Sequence, residues 1–308
     1  MIVAARIRTL LILSGSLLSL AGSAAAQRTS PSSSRYWKVV EDALGRTGTP
    51  NPGGVVRFSF PRSDLTVVLH GVTLKPAFAL GSWVAFERIG DHAMAMGDLV
   101  LLEDEVESVM ASLQQNGIEQ TALHNHLVGE SPHVMYMHIR AIGNPGRIAR
   151  AVRTALEFTK TPLAPAAAVP GAAVPTTAID LDTAAIAKII GVRGKMNGGV
   201  YQLTIPRREK IKHDKMEIPA AMGIATAINF QSTGAGKAAI TGDFVLLGRE
   251  VNSVIWALSE AGIQVTALHS HMIGEEPRLF FMHFWAIDDV PKLARGLRAA
   301  LDRTKARR

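Results

Sequence analysis

The chain has 308 residues, 47% of them apolar, and a formal net charge of +7. That length suits two domains with a core in each. The sequence contains no cysteine, which excludes disulfides, thiolate metal ligands, a cysteine nucleophile and a lipidated cysteine. The positive charge lacks the aromatic–basic interleaving of a nucleic-acid surface, so no nucleic-acid partner is expected.

Residues 1–26 read as a secretory signal peptide. Arg6 and Arg8 give a positive start, Leu10 to Leu20 a short apolar stretch, and Ala24-Ala25-Ala26 a cleavage site before Gln27. The alternative is an uncleaved N-terminal anchor. No later apolar run is long enough to cross a membrane, so the mature chain is expected to have no transmembrane segment and to be a soluble periplasmic or secreted protein.

The elements that follow fall into a first α/β repeat over 35–160, a Pro/Ala-rich linker over 161–176 and a second repeat over 177–305. Trp37, Val40 and Leu44 predict an opening helix, and Ile186, Ile189 and Ile190 its counterpart. Strands are expected around Val55–Phe60, Val67–His70, Trp83–Glu87 and Met94–Leu102. Val106, Val109, Met110 and Leu113 then repeat at helical spacing, as do Val251, Val254, Ile255 and Leu258. Gly117 and Gly262 stand where a helix would end. Two more strands follow, Ile118–His126 and Val134–Ile142, then a last helix near Pro145 or Pro291. The order β-α-β-β-α predicts an α+β fold: two tandem homologous domains, each a mainly antiparallel sheet with helices on one face.

Duplication is read from the sequence itself. Shifted by 145 positions, Gly97–Ile142 aligns with Gly242–Ile287 without a gap, and 24 of the 46 positions are identical. Val55-Val56 and Pro61-Arg62 likewise match Val200-Tyr201 and Pro206-Arg207. Arg147, Arg150, Arg153 and Lys160 correspond in place to Lys292, Arg295, Arg298 and Lys305, with Arg303 beside the second group. They read as solvated helix faces, or else as attraction to anionic envelope polymers. Glu105 and Glu250 complement helix N-termini. Gly97-Asp98 and Gly242-Asp243 read as turn or strand-entry residues, with either aspartate available as a partner for an imidazole N–H.

Six of the ten histidines correspond in pairs between the two copies of the duplicated segment. His124, His126 and His138 correspond to His269, His271 and His283, and Glu130 to Glu275, in the pattern H-x-H-x3-E-x7-H. Residues two apart on a strand share a face, so each H-x-H pair projects together. An odd-length loop in the hairpin that follows brings His138 to the same face, and an even-length loop sends it to the other. Three imidazoles and a carboxylate suit zinc, copper, manganese, iron or nickel, with room for water on the ion. The competing readings are histidines bonded to backbone in the core and a metal-free acid–base pair. Met135, Met137 and Met282 are either core filling or a hint of copper. Halves packed face to face would form two equivalent sites or one shared site.

The first three groups of the pattern resemble the histidine motif of cupins. The last histidine comes only eight residues after the glutamate, and a helix separates the strands, so the cupin jelly roll is not carried over. A broader resemblance lies in Gly97-Asp98 through Glu105-Val106, in Thr121 to His126, in Ala267 to His271 and in Pro277 to Trp285. These runs resemble the LppY/LpqO family of bacterial exported proteins. The resemblance implies an envelope or secreted location and assigns no reaction, and the missing cysteine departs from its lipoprotein members. The expected function is therefore an exported protein that binds a divalent transition metal through His124, His126, Glu130, His138, His269, His271, Glu275 and His283. The alternative is a non-catalytic module for a small-molecule or envelope ligand, with structural histidines.

Overall fold

A computed structural model describes residues 31–164 and 180–307. The signal-peptide reading and most of the linker, from Pro165 on, lie outside the described residues. The first half runs α1 (Pro31–Leu44), β1 (Thr49–Asn51), β2 (Val55–Pro61), β3 (Val68–Leu69), β4 (Val72–Thr73), α2 (Pro76–Ala79), β5 (Gly81–Ile89), β6 (His92–Leu102), α3 (Val106–Gln115), β7 (Glu119–His124), β8 (Val134–Gly143) and α4 (Pro145–Leu156). The second runs α5 (Thr183–Ile190), β9 (Lys195–Asn197), β10 (Val200–Pro206), β11 (Lys212–His213), β12 (Met216–Glu217), β13 (Ala225–Gly234), β14 (Lys237–Leu247), α6 (Val251–Glu260), β15 (Gln264–His269), β16 (Leu279–Asp289) and α7 (Val290–Leu301).

Each half is a six-stranded antiparallel sheet, in the orders β1-β2-β5-β6-β8-β7 and β15-β16-β14-β13-β10-β9. This is the α+β duplication expected from the periodicities. Local chemistry sets the helix ends: Pro145 occupies the first turn of α4 while the Asn144 side chain accepts from Arg147 N at 3.0 Å. Gly191 closes α5 at φ 85°. Alternation along the strands sends Leu99, Leu101, Met137 and Ile139 to the helices of the first half, with Phe58 and Phe86. Burying each such side chain contributes roughly 1.5–3 kcal/mol.

The other face of each sheet is covered by the other half. Val55, Ala85, Met94 and Met96 pack with Ile211, Ile218, Met222 and Phe281. Reciprocally, Val67, Leu69, Leu74 and Phe78 pack with Val200, Ala239 and Trp285. The segment expected as a sheet strand at Val67–His70 is instead the short hairpin β3–β4, part of an arm laid across the second sheet. Polar side chains on that sheet hold it: Lys75 N donates to Gln231 Oε1 at 2.9 Å, and Gln202 Nε2 donates to Ala77 O at 2.7 Å.

Gly97-Asp98 and Gly242-Asp243 lie inside β6 and β14, not at turns. A Cβ on Gly97 would stand 2.7 Å from Trp83 O, and one on Gly242 would overlap Ala227 O. The glycines let the neighbouring strand approach, and that approach sets the position of the aspartate next to them.

Candidate metal centre

The centre begins with strand register. His124 pairs with Tyr136 and Ala122 with His138 across β7 and β8, and Asp98 pairs with His138 across β6 and β8. Paired residues share a face, so His124, His138 and Asp98 project together. His269–Phe281, Ala267–His283 and Asp243–His283 repeat the arrangement. Met137 and Met282 alternate to the opposite, helix-covered face and fill the two cores.

An extra residue in each edge strand aims the motif. The register shifts between Gln120 and Ala122, and again between Val265 and Ala267, leaving Thr121 and Thr266 as bulge residues. Thr121 Oγ1 donates to His271 O, and Thr266 Oγ1 to His126 O, each at 2.6 Å. These bonds tie each H-x-H segment to the other half.

The six histidines consequently form one cluster. Rings stack across the halves in three pairs: His124–His269 with centroids 3.5 Å apart, His126–His283 at 3.7 Å and His138–His271 at 3.6 Å. The first pair lies on the pseudo-two-fold axis, and the other two are exchanged by it. Nitrogens of His124, His269, His271 and His283 fall within 4.8 Å of one another, as do those of His124, His126 and His138. His269 Nε2 and His271 Nε2 are 2.9 Å apart. Two nitrogens each about 2.0–2.1 Å from one ion, at a right angle, have a separation of about that size.

Several nitrogen and oxygen atoms of this cluster are buried without hydrogen-bond partners. The Nε2 atoms of His124, His126, His138 and His283 and Nδ1 of His269 are buried and make no hydrogen bond, as are Asp98 Oδ1 and Asp243 Oδ1. Orphaned buried polar atoms are individually unfavourable by about 1–3 kcal/mol, and this many aimed together fits a bound ion. His124 Nδ1 lies 3.1 Å from Asn125 O and His283 Nδ1 2.9 Å from Gly242 O. A proton placed on each Nδ1 leaves Nε2 as the donor atom, as in metal-ligating histidines.

Burial also sets the protonation states. It lowers His124 to about 4 and His269 to about 3, with a smaller contribution from His124 in the second case. His126, His138, His271 and His283 are pushed well below 6.5 by burial and then by neighbouring imidazoles. At neutral pH the imidazoles are neutral, the form that binds metal. Burial raises Asp98 to about 7, opposed by the charge of Arg57. Asp243 is raised well above its usual range by burial and by Asp98.

Glu130 and Glu275 do not enter these ligand groups. Their Oε1 atoms accept from Val134 N at 3.3 Å and Leu279 N at 2.8 Å, closing the turn of their own hairpins. Short loops present backbone N–H groups that one oxygen of a buried carboxylate satisfies, while the other oxygen of Glu130, Oε2, is buried without a hydrogen-bond partner. His70, His92, His133 and His213 also lie outside the ligand groups. Asp98 and Asp243 are the site residues that sequence spacing alone did not rank; their signal was the repeated Gly-Asp pair.

Fold and site define a duplicated α+β protein whose halves meet at a histidine cluster. The chain belongs to the family described as Domain of Unknown Function (DUF1259), which matches residues 38–158 and again residues 184–303. Comparison with curated proteins finds no match. Among solved structures, the chain is similar to a trimeric bacterial microcompartment shell protein, PduB, at 12% identity over 83% of this chain and 89% of that one, with a TM-score of 0.22. It is also similar to EtuB from Clostridium kluyveri at 11% identity over 83% and 90%, with a TM-score of 0.19. Likeness at that level carries no functional argument. Among the described residues, no helix is long and apolar enough to cross a membrane.

Proposed function

We propose that this chain is an exported, periplasmic or secreted, metal-binding protein whose two halves hold a divalent transition metal in one shared histidine centre. The carrying observation is the set of buried imidazole nitrogens that converge without hydrogen-bond partners. A purely structural role would give those nitrogens backbone partners. Of the ligating set proposed from spacing, His124, His126, His138, His269, His271 and His283 act as ligands. Glu130 and Glu275 act as hairpin clamps that place them. The signal-like residues 1–26 and the LppY/LpqO-like motifs support the envelope location.

The test is metal content by mass spectrometry on mature protein purified without affinity tags or chelators, beside the His124→Ala/His269→Ala variant. The proposal expects bound metal in the parent and its loss in the variant. Absence of metal, with none taken up on titration with zinc, copper, manganese, iron or nickel, would refute it.

A further inference from the structure

The imidazole planes carry more than the presence of nitrogens. A histidine binds metal through a lone pair in its ring plane, so rings that are nearly parallel force their metal bonds into one layer. In the second half, His269 is inclined 28° to His271 and 17° to His283, and His271 is inclined 30° to His283. In the first half, His124 is inclined 24° to His126 and 11° to His138. With each ring of one half stacked on a ring of the other at 3.5–3.7 Å, these near-parallel planes arrange the three rings of each half as a shallow layer.

The spacings within each layer are those of three imidazoles on one ion. With a metal–nitrogen bond of about 2.0–2.1 Å, a ring centroid lies about 3.2 Å from its ion. Centroids 4.9 Å apart for His269–His271 and His269–His283, and 6.1 Å for His271–His283, then correspond to angles of about 100°, 100° and 140°. Three such angles nearly close a circle, so the ion would sit almost in the plane of its nitrogens. His124 stands 5.0 Å from both His126 and His138, repeating the pattern. The layers lie face to face, with rings stacked at 3.5–3.7 Å across the pseudo-two-fold axis.

Two ions placed in these layers would be separated by about the 3.5–4 Å of two-metal sites. Three in-plane nitrogens with the widest gap between His271 and His283 leave a fourth in-plane position open to water. A tetragonal set of that kind selects copper(II) or nickel(II) over tetrahedral zinc, with copper the tighter binder of the two. Charge is supplied from the same sheet faces. Asp98 Oδ1 stands 3.8 Å from His138 Nε2, and Asp243 Oδ2 3.8 Å from His271 Nε2. Each layer thus has one carboxylate at its edge to offset an ion among neutral rings.

We infer that the centre holds two copper(II) ions, one in the layer of His124, His126 and His138 and one in the layer of His269, His271 and His283. This rests on the metal-centre reading and specifies its ion and its count. The test is copper(II) titration of the full mature chain with metal analysis and electron paramagnetic resonance. Two equivalents with a coupled spectrum, either a broad triplet with a half-field transition or an antiferromagnetically silenced pair, are expected. The His126→Ala/His138→Ala variant should hold one equivalent and show an isolated axial signal, and His271→Ala/His283→Ala should mirror it if the first variant does not fold. One equivalent with an isolated axial signal in the parent protein would overturn the paired site while leaving a metal centre in place. Two equivalents of zinc with no copper uptake would overturn the choice of ion. No uptake of any metal would refute the metal centre itself.

Discussion

The hydroxyl of Thr121 donates to the main-chain oxygen of His271 at 2.6 Å, so a bulge residue in one half holds the histidine motif of the other. Thr266 and His126 form the mirror contact at 2.6 Å. Replacing both threonines by valine keeps their shape and removes both donors. The expected loss is about 1 kcal/mol per bond, read by denaturant unfolding, together with weaker metal binding. An unchanged metal affinity would show that these bonds do not align the centre.

A second prediction concerns the buried ion pairs beneath the site strands. Arg62 is fully buried and meets Glu105 through two bonds of 2.7 and 3.0 Å, and Arg207 meets Glu250 at 2.8 and 3.0 Å. Glu105 also accepts from Leu102 N at 2.8 Å, capping the turn before α3. Glu105→Ala removes one of the two carboxylates that a buried guanidinium meets, leaving Asp64 at 2.9 Å, and should destabilise by about 1–3 kcal/mol. Lys38→Ala, which breaks the exposed pair with Asp42, should leave the unfolding midpoint unchanged.

Acid should destabilise the metal-free protein. The cluster histidines have folded-state pKa values below 6.5, at about 4 for His124 and about 3 for His269. The unfolded chain binds protons first, so their contribution is present above pH 6.5 and lost as pH falls toward those values. Asp98 acts in the opposite sense: raised from 3.8 to about 7, its contribution is complete at low pH and lost as pH rises through 7. Asp243 is raised as well, but six histidines outweigh two aspartates. The melting temperature of metal-free protein should fall by several degrees from pH 7 to pH 5. A flat or rising profile would show that the histidines are not buried in neutral form.

The glutamates separate placement from ligation. Glu275→Gln keeps an acceptor for Leu279 N but removes the charge. It should retain the full metal content of the parent and lose roughly 1 kcal/mol of stability. Metal loss without destabilisation would return Glu275 to the ligand set.

Much of this was legible from residue order. Apolar spacing located α3, α4, α6 and α7, and the repeat made each inference twice. The parity of the H-x-H pair against His138 left two registers open, and the bulge at Thr121 with the following loop selects the shared face. Three features were not legible. Stacking of His124 on His269 joins residues 145 positions apart, and no local periodicity encodes it. The role of Glu130 depends on which hairpin N–H groups lack partners, which is a property of the folded turn. Gly97-Asp98 resembled a turn because glycine serves turns and close strand approach equally well; only the neighbouring strand distinguishes them.

The most direct measurement is anomalous diffraction at the metal absorption edge from crystals of metal-loaded protein. The account predicts anomalous peaks inside the cluster, about 2 Å from imidazole nitrogens contributed by both halves. A metal peak elsewhere in the molecule, with the six histidines free of one, would contradict it.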